Sequence, residues 1–513
     1  MATVFLLTCL AALFGLSSSV VLSCPGSCDC DLTNGKVENC SGVTDFPEKF
    51  PNASLIKTLC IIGNNLTSLT TRLYIFKNLE TLQITSSGVE MVDNDTFQGM
   101  DKLKWIMMNK NLFEFVRPGT FVDLPVLTTL ELPNNNISTL DAHTFWNMTN
   151  LKILDLSYNK ITVIYSDSFG RLPNVTVLDL GHNQLATVPK RILQNFPRLY
   201  ALTLSGNRIK TVNAYDFTHC LTLRSLYLSD NQISILSDKA FVVNETGGNQ
   251  SLKINFIFLG DNKLTEFPPL NNLNRLHGIV LSGNMIDSIP SDAMIGFPGL
   301  LQFRMSYNLN LTDIQPGAFR MLKLLKTIHM NGNKGLQSLP DGLFQNQKQL
   351  HTLFLGNCNL TTFPESLGNW DHLKVLNLIN NPLHCDCALK WLSKPHAWNQ
   401  PANQNVISQL MCASPPEFKH KSVWDLNDDT LPCVDHTEVS NRITNGIIFA
   451  IVAIVLIAIV AIILRFRRTM VLRWRYYRYA RQTDDVPFTV DNEYSDYPSG
   501  DRKLRMSDLE RDM

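Results

Sequence analysis

Residues 151–161 read LKILDLSYNKI, and the spacing of leucine and asparagine in this stretch decides the fold. The spacing L-x-x-L-x-L-x-x-N-x-L returns in LTTLELPNNNI (127–137), VTVLDLGHNQL (175–185), LYALTLSGNRI (199–209) and LRSLYLSDNQI (223–233). Successive asparagines in these stretches lie 24 residues apart. A fixed period of this length predicts a solenoid in which each repeat is one supersecondary unit.

The same frame extends in both directions with looser matches and predicts about 14 repeats between residues 55 and 383. One repeat of this size cannot bury its own apolar face, so neighbours stack and share a leucine core. The pattern resembles the leucine-rich repeat, and the predicted fold class is therefore an α/β leucine-rich-repeat solenoid, a parallel-sheet horseshoe. The asparagine or its substitute recurs at Asn64, Ser87, Asn111, Asn135, Asn159, Asn183, Asn207, Asn231, Asn262, Asn284, Asn308, Asn333, Cys358 and Asn381.

Within each repeat we predict a short strand whose leucines point into the core while the alternate residues point out. Stacked strands form a parallel sheet on the concave side. The asparagine amide can bond backbone groups that would otherwise be buried without partners, at a cost of about 1 to 3 kcal/mol each. Phenylalanines recur on the return segment, where we expect them to fill the other half of the core: Phe97, Phe121, Phe145, Phe169, Phe217, Phe241, Phe319 and Phe344.

A solenoid exposes core at both ends and needs a cap at each. The cluster CPGSCDC with Cys40, and the cluster that begins HCDCALKWL, resemble the cysteine caps of extracellular leucine-rich-repeat proteins, and we assign these caps to residues 24–54 and 384–433. An oxidising secretory route favours disulfides over zinc. Four cysteines alone permit three connectivities, and the resemblance implies the pairs Cys24–Cys30, Cys28–Cys40, Cys385–Cys412 and Cys387–Cys433.

Three further cysteines outside the signal peptide fall on repeat positions. Cys220 takes a core position, and Cys358 takes an asparagine position. Cys60 falls on an outward strand position of the first repeat, which leaves two interpretations. It is either an exposed thiol that pairs between chains or a thiol shielded by the N-terminal cap, and we favour the second.

Two apolar segments predict how the chain meets a membrane. Residues 4–16 (VFLLTCLAALFGL) have the length of a signal-peptide core, and we predict a signal peptide at 1–23. Residues 447–464 (IIFAIVAIVLIAIVAIIL) would extend about 27 Å as one transmembrane helix. Arginines follow at once, which predicts a stalk at 434–446, a cytoplasmic tail at 465–513 and a single-pass type I protein of the plasma membrane with an extracellular N-terminus.

The distribution of charged residues bears on two kinds of partner, nucleic acid and anionic lipid. With 45 basic and 45 acidic side chains the chain lacks the basic excess that would suggest nucleic acid, and we predict no nucleic-acid partner. Residues 465–482 (RFRRTMVLRWRYYRYARQ), however, hold seven arginines and no acid. This segment suits attraction to anionic lipid headgroups, although its first three arginines also fit a simple stop-transfer anchor.

Ten N-x-S/T sequons predict glycosylation, which requires exposed surface. An eleventh, at Asn39, is doubtful because its middle residue is the predicted disulfide partner Cys40. Two of the ten lie in VVNETGGNQS (242–251), an insertion that stretches one repeat to 31 residues and that we interpret as a surface loop. The predicted sites are Asn52, Asn65, Asn94, Asn136, Asn147, Asn174, Asn244, Asn249, Asn310 and Asn359.

The outward strand positions change their chemistry along the stack. Three carboxylates come first, and because adjacent strands lie about 4.8 Å apart, these like charges destabilise the sheet unless something positive offsets them. Aromatic side chains of the kind that anchor protein interfaces follow, and basic side chains come last. We predict a protein-binding site on the concave face; ordinary variation of solvent-facing residues is the alternative. The predicted ligand-binding residues are Glu131, Asp155, Asp179, Tyr200, Tyr227, Phe256, Phe258, Arg304 and His329.

The chain lacks the G-x-S-x-G, H-E-x-x-H, phosphate-loop and kinase signatures, so we predict a non-enzymatic protein without cofactor or metal. The predicted ectodomain resembles those of Toll-like receptors and of leucine-rich-repeat adhesion proteins, and the basic aromatic segment also resembles Toll-like receptors. The 49 residues after the span are too few for the TIR signalling domain of that family.

The resemblance implies a cell-surface receptor or adhesion protein whose partner is an extracellular protein ligand or a co-receptor. The alternative is a TIR-less Toll-like innate immune receptor, accessory or decoy, for microbial ligands. A homodimer is a further partner to consider.

Overall fold

The computed structural model describes residues 28–31, 34–40, 42, 53–69, 73–94, 96–122, 124–243, 250–270, 273–393, 409–426, 430–431 and 436–480. The chain divides into two units, Met1–Pro432 and Cys433–Met513, and each is described by itself. The predicted signal peptide (1–23) and the tail beyond residue 480 lie outside the described residues.

One 16-stranded sheet runs through the first unit and confirms the predicted parallel-sheet solenoid. The first two strands form an antiparallel hairpin in the N-terminal cap. The second then pairs in parallel with the first repeat strand, and the others follow in chain order. The strands are Asp29–Asp31, Lys36–Cys40, Thr58–Ile62, Thr81–Thr85, Trp105–Met107, Thr129–Glu131, Ile153–Asp155, Val177–Asp179, Ala201–Thr203, Ser225–Tyr227, Phe256–Phe258, Gly278–Val280, Gln302–Arg304, Thr327–His329, Thr352–Phe354 and Val375–Asn377.

The return segments consist mainly of turns, with short parallel strand pairs between some neighbouring repeats. These pairs are Ser68–Leu69 with Met91–Val92, Thr139–Leu140 with Val163–Ile164, Thr211–Val212 with Ile235–Leu236, and Ser288–Ile289 with Asp313–Ile314. An antiparallel pair, Val242–Val243 with Gln250–Ser251, bounds the insertion, whose residues 244–249 lie outside the described residues. The described part of this unit has one α-helix, Lys190–Leu193, and the 3-10 helices Ala53–Leu55, Leu73–Ile75, Glu365–Leu367, Lys390–Ser393 and Val423–Asp425.

The asparagine ladder is buried and bonds the backbone of adjacent repeats, as predicted. At Asn159, Nδ2 donates to the carbonyl oxygens of Leu132 and Leu156, both at 3.0 Å, and Oδ1 accepts from the backbone N–H of Ile137 at 3.1 Å. The Ile137 N–H would be buried without a partner if Asn159 were absent, and the two carbonyl oxygens are shared with the neighbouring ladder residues Asn135 and Asn183. Cys358 also stands in the ladder, where its Sγ lies 3.3 Å from the carbonyl oxygen of Met330.

The predicted phenylalanines form stacks in the other half of the core. The ring centroids of Phe97 and Phe121 lie 5.4 Å apart, and those of Phe145 and Phe169 also lie 5.4 Å apart. Cys220 is buried in the same core, as predicted. Each repeat therefore contributes leucines from the sheet side and one aromatic ring from the return side.

Both ends of the solenoid carry disulfides. The predicted bridges Cys28–Cys40 and Cys385–Cys412 are present. Cys387 is also disulfide-bonded, but its expected partner Cys433 lies outside the described residues, as does Cys24 of the fourth predicted bridge. At the C-terminal end Trp391 covers the last repeat: its Nε1–H donates to the carbonyl oxygen of Phe363 at 2.9 Å.

Cys60 is shielded, so the exposed-thiol interpretation is wrong. Its side chain is 3% exposed, and its Sγ lies 3.6 Å from Oε1 of Gln83 on the next strand. The cap strand Lys36–Cys40 pairs with the strand that carries Cys60. The cap therefore covers this end of the sheet, which an outward position in the pattern could not reveal.

The described part of the second unit is one helix, His436–Ala480. Its segment Ile448–Arg475 is long and apolar enough to cross a membrane. Residues 436–446 of the predicted stalk and the predicted span 447–464 share this helix.

Candidate functional site

Strand register brings the three predicted carboxylates into one column on the concave face. Glu131 pairs with Asp155, and Asp155 pairs with Asp179. Side chains at such positions stand about 4.8 Å apart along the sheet. Within the described residues no basic side chain forms an ion pair with any of the three. The positive group that we expected to offset them is therefore not supplied by the described part of this chain.

Partial burial makes these carboxylates hard to ionise. Burial raises the pKa of Asp179 to about 6, the hydrogen bond from the Gly181 N–H (2.8 Å) opposes the rise, and the charge of Asp155 adds to it. Burial also raises the pKa of Glu131, and the Asp155 charge again adds to the effect. Burial raises the pKa of Asp155 against its hydrogen bonds from Ser157. Ionising the column therefore costs stability.

An aromatic cluster follows two strands further on. The rings of Tyr227 and Phe258 stack with centroids 4.6 Å apart and planes 9° from parallel. Phe256 is exposed on the same face two residues from Phe258. A Cβ at Gly278, on the next strand, would lie 2.7 Å from the Phe256 ring, so the glycine leaves the space this ring occupies. The structure thus brings three of the four predicted aromatics together.

Tyr200 lies apart from this cluster. It precedes the strand Ala201–Thr203, and its carbonyl oxygen accepts from the N–H of Arg224 at 2.8 Å. Its side chain is 55% exposed. The strand register places Tyr200 beside Arg224, whereas Thr203 is the residue that lies beside Tyr227. The sequence prediction grouped Tyr200 by chemistry, but the register places it three residues before Thr203, the residue that lies beside Tyr227.

The basic end carries one permanent charge. Arg304 pairs with His329 on the next strand. Burial and the Arg304 charge both lower the pKa of His329, so the imidazole is neutral at pH 7. Its ring lies 4.6 Å from that of Phe354. Glu131 and His329 are eight strands apart in register, a length of about 38 Å along the face.

Three exposed aromatics at the rim were missed by sequence reasoning. Tyr158, His182 and Tyr307 each directly precede a ladder asparagine and adopt left-handed backbone, with φ of 54°, 52° and 59°. The Tyr158 and His182 rings stack at 4.1 Å. A Cβ at Gly206 would lie 2.3 Å from the His182 ring, so that ring lies over the glycine.

These rim positions extend the concave face beyond the strands. Tyr158, His182 and Tyr307 come three residues after Asp155, Asp179 and Arg304 respectively. Left-handed backbone is costly for a side chain with a Cβ, and asparagine, aspartate and glycine take this position in other repeats. The sequence feature that could have revealed these residues is an aromatic side chain directly before the ladder asparagine, where a turn-forming residue is expected. It occurs in SYN (157–159), GHN (181–183) and SYN (306–308).

The described ranges contain no group of three or more His, Cys, Asp or Glu side chains that could hold a metal ion. A small pocket lies instead among the return segments, lined by residues that include Phe113, Phe115 and Phe121. It is lined by none of the predicted ligand-binding residues.

The sequons that the structure describes lie off the strands of the concave sheet. Asn65, Asn94, Asn147 and Asn310 are exposed, and Asn136, Asn174 and Asn359 are half-buried. Asn52, Asn244 and Asn249 lie outside the described residues. Glycans at the seven described positions would leave the sheet face open.

Comparison with known protein families gives three matches. The model "Leucine rich repeat" matches residues 77–137, 125–185, 197–244 and 274–334, and a second leucine-rich-repeat model matches 349–370. The model "Leucine rich repeat C-terminal domain" matches residues 409–434. The matches fall on repeats between residues 77 and 370 and on the second half of the C-terminal cap, and no TIR domain is among them.

Two curated proteins show the range of relatives. The Oplophorus-luciferin 2-monooxygenase non-catalytic subunit of Oplophorus gracilirostris is 30% identical over 172 residues, which are 28% of this chain and 47% of that protein. The leucine-rich repeat and fibronectin type III domain-containing protein 1-like protein of Danio rerio is 27% identical over 161 residues, which are 31% of this chain and 20% of that protein. The chain spans less than half the length of either relative.

Two solved structures share the fold. A TLR13–ssRNA13 complex contains a chain of 24% identity with a TM-score of 0.57, covering 74% of this chain and 57% of that one. The Toll–Spatzle complex of Drosophila contains a chain of 20% identity with the same TM-score of 0.57, covering 77% of this chain and 57% of that one. At these identities the likeness concerns the fold alone.

Proposed function

Because the chain belongs to the leucine-rich-repeat family and carries a leucine-rich-repeat C-terminal cap, we propose that it is a single-pass cell-surface receptor or adhesion protein that binds a protein ligand through its concave face. The observation that carries the proposal is the half-buried ring stack of Tyr227 and Phe258, at outward strand positions near the middle of that face. Stacked aromatics at the centre of a surface, flanked by charges, have the arrangement of an interface hot spot.

The charges around the stack argue for a protein rather than a nucleic acid. The carboxylates lie on one side of the rings and Arg304 lies on the other; Asp179, the nearest carboxylate, and Arg304 are each about 10 Å from the rings along the sheet. Such a polarity fixes the direction in which a partner docks and steers its approach. Three carboxylates would repel a phosphate backbone, which disfavours an RNA ligand of the kind present in the TLR13–ssRNA13 complex.

The second candidate is a TIR-less Toll-like accessory or decoy receptor for microbial ligands, favoured by the fold likeness to Toll-like receptor chains. The membrane topology is the same for both candidates and is also part of the proposal. The repeats lie outside the plasma membrane, the helix His436–Ala480 crosses it, and the sequons carry glycans. They differ in ligand class, so a binding experiment separates them.

The test is a binding screen of the soluble ectodomain, residues 24–433, against panels of cell-surface and secreted proteins and of microbial products. The variant is Tyr227→Ala with Phe258→Ala, and the matched control is Tyr165→Ala, an exposed tyrosine on a return segment. Truncating one hot-spot residue costs at least about 2 kcal/mol, so we expect the double variant to weaken a protein ligand by roughly 30-fold or more while the control binds normally.

A protein hit that tolerates the double variant would remove the ring stack from the site. A microbial hit that tolerates it would favour the accessory or decoy candidate. Charge reversal at Asp155 and Asp179 that leaves binding unchanged would remove the carboxylate column from the site.

A further inference from the structure

The helix His436–Ala480 continues well past the apolar run that would cross the membrane. The run ends at Leu464, and at about 1.5 Å per residue Trp474 lies roughly 15 Å beyond it. A headgroup layer is only about 6 Å thick on each side of a 30 Å hydrocarbon core. A helix that followed the membrane normal would therefore carry Trp474 about 10 Å past the headgroups into water.

This part of the helix carries an apolar stripe. Phe466, Met470 and Trp474 follow one another at four-residue spacing, which places them within a stripe about 80° wide. They are 70%, 59% and 63% exposed. Exposing three large apolar side chains on one face of a helix to water is unfavourable. We therefore expect another surface to cover this stripe.

The arginines around the stripe indicate what kind of surface covers it. At about 100° per residue Arg467 and Arg473 border the stripe on its two sides, while Arg468 and Arg475 lie on the opposite face. Residues 465–482 contain no acid that could neutralise them. A second copy packed on the stripe would bring the bordering arginines of two helices together as like charges, whereas anionic headgroups would pair with them.

We propose that the helix His436–Ala480 tilts in the membrane so that residues 465–475 lean onto its surface and bind anionic lipid headgroups, with Phe466, Met470 and Trp474 facing the acyl boundary and Arg467 and Arg473 contacting the headgroups. This inference rests on the helix crossing the membrane and is independent of the ligand on the concave face. It assigns a lipid-binding role to a segment that otherwise serves only as an anchor.

The test uses the full chain reconstituted at one copy per lipid nanodisc, in phosphatidylcholine alone or with about a third phosphatidylserine. Lipids brominated near the headgroup end of the acyl chain quench a tryptophan at the acyl boundary. The difference between the wild-type protein and Trp474→Phe isolates the signal of Trp474, because the other six tryptophans precede residue 433. We expect strong quenching of Trp474 in the anionic discs and its loss in about 0.5 M salt.

Substitutions of the arginines test the proposed orientation of the helix on the membrane. An arginine near an anionic surface contributes about fivefold to binding, so Arg467→Gln with Arg473→Gln should reduce the docked population by up to about 25-fold. The matched pair Arg468→Gln with Arg475→Gln, on the opposite face, should have a smaller effect. Equal effects of the two pairs would overturn the proposed orientation.

Three other results would overturn the proposal. Quenching that is equal in neutral and anionic discs and insensitive to salt would show apolar insertion without headgroup recognition. Trp474 that becomes shielded only at two copies per disc would show a helix dimer. A chain that inserts, resisting carbonate extraction, but leaves Trp474 unquenched would refute the lean alone, whereas a chain that fails to insert would refute the membrane span itself.

Discussion

Replacing Asp179 by asparagine should stabilise the folded protein, and only at pH values where the carboxylate is ionised. The half-buried carboxyl has a pKa of about 6 against an ordinary value of 3.8. Asparagine has nearly the same shape, its Oδ1 can still accept from the Gly181 N–H, and it carries no charge next to Asp155. The substitution therefore removes the ionisation penalty while it keeps the local hydrogen bond.

The magnitude and the sign follow from linkage. Raising a pKa from 3.8 to about 6 corresponds to an upper bound of about 3 kcal/mol. Solvent screens a half-buried group, so we expect about 1 to 2 kcal/mol. Below about pH 4 the carboxyl is protonated in both states, and the gain should vanish. As the pH rises from about 4 to 6 the unfolded chain loses its proton first, so the wild-type protein loses stability and the advantage of the variant grows to its full value.

The assay is urea unfolding of the ectodomain, residues 24–433, followed by tryptophan fluorescence at about pH 3.5 and about pH 7.5, on either side of that window. Asp179→Asn is compared with the wild-type protein and with Asp371→Asn, which removes a carboxylate from an exposed position. We expect a gain for Asp179→Asn at the higher pH only and no gain for the control at either pH. An equal gain at both pH values, or a loss at the higher one, would refute the argument that burial and the neighbouring charge make this carboxylate costly.

Two further predictions concern the repeat framework and are measured by the same unfolding assay. Asn159→Leu should destabilise the ectodomain by about 1 to 3 kcal/mol, because it leaves the buried N–H of Ile137 without its acceptor; a loss below about 0.5 kcal/mol would contradict the role of the ladder. Gly206→Ala should destabilise it by about 1 to 3 kcal/mol, because left-handed backbone disfavours a Cβ and that Cβ would meet the His182 ring at 2.3 Å. Gly63→Ala, where φ is +70° and nothing lies within 4 Å, should cost less, and equal losses would rule out the ring contact as a cause.

The acidic, aromatic and basic order along the sheet suggests why costly residues persist there. Ionised carboxylates in one column oppose folding, and aromatic rings in left-handed backbone do the same. Both features lie on one face, around the stack of Tyr227 and Phe258. If a basic protein surface covers the column, binding should recover part of the cost, so Asp179→Asn should stabilise the free ectodomain and weaken the complex together.

The repeating part of this protein could be predicted from the order of its residues alone. A 24-residue period with alternating leucines places Leu154 in the core and Asp155 outside, and the asparagine beside each strand has one role in every repeat. The phenylalanine stacks and the order of outward residues follow because neighbouring repeats share one geometry, whereas the cap disulfides were implied by the resemblance to extracellular leucine-rich-repeat proteins. Periodicity is a local property of the chain, so it can be recognised without coordinates.

Features that depend on how one repeat covers another required the folded chain. The cap strand buries Cys60, the strand register separates Tyr200 from the ring stack, and Gly206 makes room for the His182 ring. The raised pKa of Asp179 likewise depends on burial by adjacent strands. The sequence period does not encode the distances between side chains of neighbouring repeats or the sign of a backbone dihedral angle. The pattern therefore predicts which face carries the candidate site, but not which residues bound the site or how much stability they cost.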